Sequence, residues 1–355
     1  MKKLVWYLFV CLSIMGCSYN AIHSDRVILE NFPKSLRVEF HEYPVEPVLY
    51  YVGDMEIVNN ELITVDMKNE VFFQFFQLPD LNYLGSDIKR GEGPKEEIVV
   101  LPYIYHVDKD TFAYRSLYQV KMAVFDKKQQ KMKQVRKIDL PAPYIDILNC
   151  VVDKNSILGY DMMGKTQKEY QKFDFDVKNE IFDFGPSFPD VGMRIDGDKQ
   201  NMVFTKIMAS GFSNNKFVAL YDKFPLLRIY NRSNGDIIHE VEYKNGQKKP
   251  LAYANVIVDP LELDEYTINY LKVKVTDNYI YGLYSGKTNS ELSAIENNSG
   301  DCGMEIHIWD WNGNAVSRLI LPRSVSAFAV SSDDSYALLY SFAHDNLLYK
   351  VKLNN

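Results

Sequence analysis

One phrase recurs along this chain: a run of alternating apolar and polar residues, a turn rich in Asn, Asp or Ser, and a second run closing on an aromatic or branched residue. It appears as MEIVNNELITVD (55–66), YHVDKDTFAYRS (105–116), NCVVDKNSILGYD (149–161), SGFSNNKFVALYD (210–222), LKVKVTDNYIYGLYS (271–285) and AFAVSSDDSYALLYS (327–341). Corresponding points fall at Leu62, Phe112, Ile157, Phe217, Ile280 and Tyr336, with spacings from 45 to 63 residues. Self-similarity at such a period marks a repeat architecture. Tyr, Phe, Val and Ile fill the runs and helical periodicity is scarce, so the repeats read as antiparallel strands.

Second phrases between the copies, such as LRIYNRSNGDIIHEV and IHIWDWNGNAVSRLIL, supply outer strand pairs. Two of them turn at Asn234–Gly235 and Asn312–Gly313, a dipeptide that tolerates the positive φ angles of a type I′ hairpin. Each repeat is therefore expected to be a four-stranded antiparallel meander. One meander cannot bury both of its faces, whereas six set radially can. The expected fold is all-β, a six-bladed β-propeller. The last copy ends at LLYKVKLNN with no fourth strand, while SLRVEFHEYP (35–44) alternates and has no other partner. It is expected to close the final blade as its outer strand. No linker or charge block divides residues 35–355, which read as one domain.

The N-terminus carries a different message. Lys2 and Lys3 precede a thirteen-residue apolar or small run from Leu4 to Gly16. A span needs about 20 residues, so this run reads as a secretory signal. It ends in IMGC and resembles the bacterial lipobox, in which cleavage precedes a cysteine that becomes lipidated, here Cys17. The expected division is a signal peptide at 1–16, a lipid-anchor tether at 17–34 and the propeller at 35–355. Loss of Lys2 and Lys3 takes the net charge from −7 to −9, which argues against nucleic acid as a partner. Cys150 and Cys302 remain in different repeats and are expected to be free thiols. The implied location is the outer membrane of the cell envelope. SYNAIHSDR after Cys17 has no acidic run, which favours the periplasmic side.

With the signal, the six repeats, GEGPKE after the first repeat and IWDWNGN in the fifth, the chain resembles the TolB-like, NHL-related six-bladed propeller lipoproteins of Bacteroidetes. Gly91, Gly93, Pro94 and Glu96 match that family's G-x-GPGE-like motif, and Lys95 replaces the glycine often found before its glutamate. The resemblance implies fold and compartment and leaves activity open. Read by itself, IKRGEGPKEEIVVLP (88–102) has the glycines and cations of a phosphate loop. Such loops aim successive N–H groups at the anion, but Pro94 removes a donor, Glu92, Glu96 and Glu97 add negative charge, and a β-like run follows. The segment reads as a corner between blades.

Loop length locates the working side. First-to-second and third-to-fourth strand turns are short, whereas 88–102, 186–205, 244–267 and 285–304 are long, and all four lie on the opposite face. Long connections in a compact fold carry function. Polar residues near the ends of second strands are the binding candidates on that face: Asp66, Arg115, Asp161, Lys165, Asp222, Lys223, Lys287, His344 and Asp345.

Catalytic readings compete with binding. Propeller lactonases hold a divalent metal such as calcium at the axis with carboxylates, and related lyases use histidines. Asp66, Asp161 and Asp222 end second strands at similar places, but the six histidines are scattered and no nucleophile elbow is present. Trp309 and Trp311 raise glycan stacking, although strand alternation accounts for Trp309 as packing. The basic hairpin KKQQKMKQVRK (127–137) reads as a solvated edge that resists sheet pairing. The expected protein is a monomeric, membrane-anchored, non-catalytic module that binds an envelope protein or other ligand. The alternatives are a metal-dependent hydrolase, lactonase or lyase, and a glycan-binding accessory protein.

Overall fold

Strand follows strand because the alternating residues find an apolar neighbour on each side. The computed structural model describes residues 26–353 except 146, 148, 163, 165, 178–179, 193–194, 196, 198, 212, 245–265, 289, 293, 295–302 and 345. Three short strands come first: β1 (Val27–Leu29), β2 (Ser35–Arg37) and β3 (His41–Pro44). The first blade holds β4 (Val52–Val58), β5 (Glu61–Asp66), β6 (Val71–Gln77), β7 (Asn82–Arg90) and the short β8 (Glu96–Glu97). The second holds β9 (Val100–Asp108), β10 (Thr111–Ser116), β11 (Gln119–Asp126) and β12 (Lys131–Asp139). The third holds β13 (Asn149–Val152), β14 (Ser156–Tyr160), β15 (Tyr170–Asp174) and β16 (Ile181–Phe184).

In the fourth blade stand β17 (Lys206–Ser210), β18 (Lys216–Tyr221), β19 (Leu226–Asn231) and β20 (Ile237–Tyr243). The fifth has β21 (Thr267–Val275), β22 (Tyr279–Thr288), β23 (Glu305–Asp310) and β24 (Ala315–Ile320). The sixth has β25 (Ala327–Val330), β26 (Tyr336–Tyr340) and β27 (Leu347–Lys352). Each blade's first strand is innermost, and these six contact one another in sequence until β25 meets β4. The ring is closed, a six-bladed propeller.

Six hydrophobic clusters fill the six interfaces between blades. β18 shows how. Phe217, Ala219 and Tyr221 pack towards the third blade, while Val218 and Leu220 pack towards the fifth. The two-residue period of a strand thus gives each face its own neighbour, and that is why the interior of β18 is apolar on both faces.

Closure uses less of the N-terminal segment than its alternation suggested. His41–Pro44 pairs antiparallel with β27, Tyr43 opposite Leu348, and supplies the missing fourth strand. Ser35–Arg37 instead adds parallel to β24 of the fifth blade, and Val27–Leu29 adds parallel to β20 of the fourth. A strap running round the rim meets the outer strands of two complete blades before it reaches the incomplete one. The sheets therefore recruit residues placed in the tether by the sequence reading. Arg26 fastens the start of the strap, its Nε 2.5 Å from Glu240 Oε1 and its Nη1 2.9 Å from Glu242 Oε2.

Turn chemistry also differs from expectation in one respect. Gly235 and Gly313 adopt φ of +79° and +77°, but their preceding asparagines do not enter that region. Both turns are longer than two residues and sit beside register shifts. The paired positive φ values of a type I′ turn occur at Asn59 and Asn60, at +49° and +66°.

The glycine-rich corner folds onto itself. Gly93 N donates to Glu96 Oε2 at 2.9 Å and Gly91 N to Glu97 O at 3.1 Å. A Cβ at Gly91 would lie 2.1 Å from Glu96 Oε2, so the carboxylate fills the hollow over the glycines. The motif is a corner with its own internal anion.

Candidate functional site

The axis and the long-connection face are the two places where a propeller offers a site. At the axis, strand alternation puts Asp54 and Glu56 of β4 on one side and Lys272 and Lys274 of β21 on another. Both lysines cross the sector of the sixth blade to reach the first. Lys274 Nζ lies 3.0 Å from Asp54 Oδ1 and 2.8 Å from Glu56 Oε2. Burial pulls the Lys274 ammonium down, but the two carboxylates more than offset this and hold it above the ordinary lysine value. Lys272 Nζ donates to Gly53 O at 2.7 Å and stands 5.3 Å from the centre of the Tyr103 ring. Burial pushes Lys272 below the usual lysine value against the pull of Asp54. Tyr103 is pushed up to about 12 by burial, Asp54 and Cys150. The Cys150 thiol, itself buried, donates to Tyr105 Oη at 3.1 Å; Cys302 lies outside the described residues.

The cavity these groups line measures about 70 Å³. That is well below the roughly 300–1,000 Å³ of small-molecule sites. An axial calcium does not suit this donor set, because Lys274 engages both carboxylates. No cluster of three or more His, Cys, Asp or Glu able to hold a metal forms among the described residues.

Antiparallel order places second-to-third strand turns and blade-to-blade connections together on the other candidate surface. Several of the expected binding residues there are committed to structure. Asp66, fully buried, accepts from the backbone N–H groups of Tyr50, Tyr51, Lys68 and Asn69 at 2.7, 3.1, 2.9 and 3.1 Å. Arg115 is also buried, and its guanidinium donates to Ile147 O and, at 3.1 Å, to Tyr144 O, bracing the connection into the third blade. Asp222 and Lys223 are brought together at 3.8 Å. Thr205 Oγ1 donates to Asp222, while Lys223 Nζ donates to Met202 O at 2.7 Å. Burial raises the Asp222 carboxyl and lowers the Lys223 ammonium. Asp161 O accepts from Gly164 N at 3.1 Å, Lys287 N donates to Ser285 Oγ at 3.2 Å, and His344 Nε2 lies 3.2 Å from Arg323 Nη1. Lys165 and Asp345 lie outside the described residues. Asp222 with Lys223 apart, these positions stand on separate blades.

The residues that distinguish this face are apolar, and the sequence reading passed over them. Fourteen large hydrophobic side chains are exposed among the described residues, and eight of them stand here: Tyr50, Tyr51, Ile98, Val99, Leu117, Tyr118, Met162 and Phe342. They come from the sixth, first, second and third blades. Tyr51 and Phe342 stack, with ring centres 4.3 Å apart and planes 10° apart, and Lys68 Nζ lies 5.2 Å from the Tyr51 ring centre. The signal available in sequence was an apolar pair inside a connection, as in Tyr50–Tyr51, Ile98–Val99 and Leu117–Tyr118.

Comparison with known proteins agrees with the architecture. Residues 48–333 match the family described as TolB-like 6-blade propeller-like. A crystal structure of a DUF4221 family member from Bacteroides vulgatus superposes with a TM-score of 0.61 at 10% identity, covering 89% of this chain and 98% of that one. A candidate exported protein from Bacteroides fragilis superposes with a TM-score of 0.58 at 13% identity, covering 93% and 100%. No curated protein matches the chain.

Proposed function

Since this chain belongs to the TolB-like six-bladed propeller family, we propose that it is a lipid-anchored envelope protein that binds a protein partner through its long-connection face and catalyses no reaction. The carrying observation is the concentration of exposed apolar side chains there. Tyr51 and Phe342 stack into one exposed apolar patch, exposed apolar patches mark interaction sites, and aromatic residues are enriched at protein interfaces. The axis offers a rival enzymatic reading little support, since its charges neutralise one another in a cavity of about 70 Å³. Envelope placement is supported by the apolar signal before Cys17 and by the exported description of the Bacteroides fragilis relative. Acylation at Cys17 with more than one chain gives stable anchoring, on the periplasmic side of the outer membrane.

Photo-crosslinking tests the face. p-Benzoylphenylalanine introduced at Tyr118 or Phe342 should yield one adduct of common mass in whole cells, and the same probe at Val177 on the opposite face should not. Equal adducts from both faces, or none from either, would refute the reading. Cys17→Ser should move the protein from the membrane to the soluble fraction; retention in the membrane would remove the anchor.

A further inference from the structure

Along the rim, the strap adds β1 and β2 to the fourth and fifth blades and completes the sixth with β3, and β8 flanks β7 in the first. Among the described residues, the outer strands of the second and third blades, β12 and β16, carry no added strand. β12 and the turn before it hold six cations, Lys127, Lys128, Lys131, Lys133, Arg136 and Lys137, in a chain of net charge −7. We propose that this edge docks on an anionic phospholipid surface.

Two of the six cations are spent: Lys127 pairs with Glu61, and Arg136 Nη2 lies 3.0 Å from Asp176 Oδ1. Lys128, Lys131, Lys133 and Lys137 are exposed and make no ion pair among the described residues. The nearby carboxylates are turned to the backbone. Asp126 Oδ1 accepts from Lys128 N at 2.9 Å and from Gln129 N at 3.1 Å, and Asp87 Oδ2 accepts from Met132 N at 2.8 Å. From Lys131 to Lys137 the stripe runs about 20 Å at the rise of a strand, with Val135 51% exposed between them. Lysines on an outer strand oppose the pairing of another strand, which favours a surface of headgroups over an extended peptide. Each lysine held near anionic lipid adds attraction that fades within a Debye length. The N-terminus brings such a surface to this side of the ring. Arg26 Nη2 donates at 2.5 Å to Asp190 O, in the connection leaving the third blade. Cys17 stands nine positions earlier, a reach of about 30 Å. Exposed Glu180 and Asp183 at β16 would repel anionic lipid, which leaves β12 as the docking edge. This docking rests on the anchored reading of Cys17.

Co-sedimentation with vesicles tests the proposal. The mature chain carrying Cys17→Ser, which has no acyl group, should pellet at low salt with vesicles of mixed phosphatidylglycerol and phosphatidylcholine, and not with phosphatidylcholine alone. Binding should vanish at about 1 M salt, where the Debye length is about 3 Å. A Lys128→Gln/Lys131→Gln/Lys133→Gln/Lys137→Gln variant that melts like the wild type should bind about a hundredfold more weakly. Lys34→Gln/Lys168→Gln/Lys244→Gln/Lys352→Gln, with the same change in net charge, should bind like the wild type. No binding to anionic vesicles, equal binding to phosphatidylcholine, or equal weakening by the two variants would each overturn it. Capture of polyglutamate without vesicle binding would overturn it in favour of an acidic protein. In cells, a high-salt wash strips the contribution of the stripe, so fractionation of Cys17→Ser reads the anchor alone.

Discussion

Asp66 Oδ1 accepts the backbone N–H of Tyr51 at 3.1 Å, while Oδ2 accepts that of Tyr50 at 2.7 Å. A buried carboxylate thereby sets the position of two exposed tyrosines on the long-connection face. Asp66→Ala leaves four amide donors without this acceptor, and hydrogen bonds to charged groups contribute about 1.5–3 kcal/mol each before relaxation. A loss of about 3 kcal/mol in urea unfolding is expected, with a smaller loss for Asp66→Asn. A loss below about 0.5 kcal/mol would show that water replaces the carboxylate.

Glu169 is the hub of a buried network. It accepts from Tyr221 Oη, from Tyr230 Oη at 2.8 Å, from Lys206 Nζ at 3.2 Å and from Arg228 Nη1 at 2.9 Å. Arg228 continues to Glu240 and so to Arg26 at the head of the strap. Glu169→Gln leaves two buried cations short of their counter-charge, and breaking such a pair costs about 3–5 kcal/mol. Equilibrium unfolding should show a loss of that size, and a neutral effect would mean the cations relax to solvent.

The same residue gives a pH dependence. Burial would raise the Glu169 pKa, but Lys206, Arg228 and the two tyrosine hydroxyls outweigh it and hold the carboxyl below the ordinary glutamate value. A depressed folded-state pKa stabilises fully above the unfolded value of about 4.3. That contribution is lost as pH falls through the folded value. Below about pH 4.3, wild type should therefore lose stability more steeply than Glu169→Gln. Parallel acid limbs would show that other carboxylates dominate.

At the axis, Lys274→Met removes the cation shared by Asp54 and Glu56. A loss of about 3–5 kcal/mol is expected from the stranded carboxylates. Dialysis of wild type against EDTA should leave its melting temperature unchanged, because the ammonium already satisfies these acids. A drop in melting temperature that calcium reverses would show that a cation belongs at this site.

Strap truncations separate closure from edge cover. Starting the chain at residue 39 removes β1 and β2 but keeps β3, and should lower the melting temperature while preserving one cooperative transition. Starting at residue 46 also removes β3 and leaves β27 without its partner. That chain should lose cooperative melting by circular dichroism. Equal behaviour of the two would mean that β3 closes nothing.

Much of this architecture was legible in the residues alone. Six alternating phrases imply six sheets because strand periodicity is local, and β18 and β26 show both faces of each phrase finding an apolar neighbour. The need for a returning strand was legible too, since the last repeat has only three. What sequence did not decide was exposure. Arg115 and Tyr118 stand three positions apart, and local polarity predicts the arginine outside and the tyrosine inside. The fold reverses them: Arg115 is 0% exposed and Tyr118 is 58% exposed. The connection into the third blade, distant in sequence, lays its carbonyl groups over the guanidinium, while the turn at 116–119 leaves Leu117 and Tyr118 exposed. Strand pattern is set by adjacent residues, but burial is set by which remote segment arrives, and only the closed ring determines that.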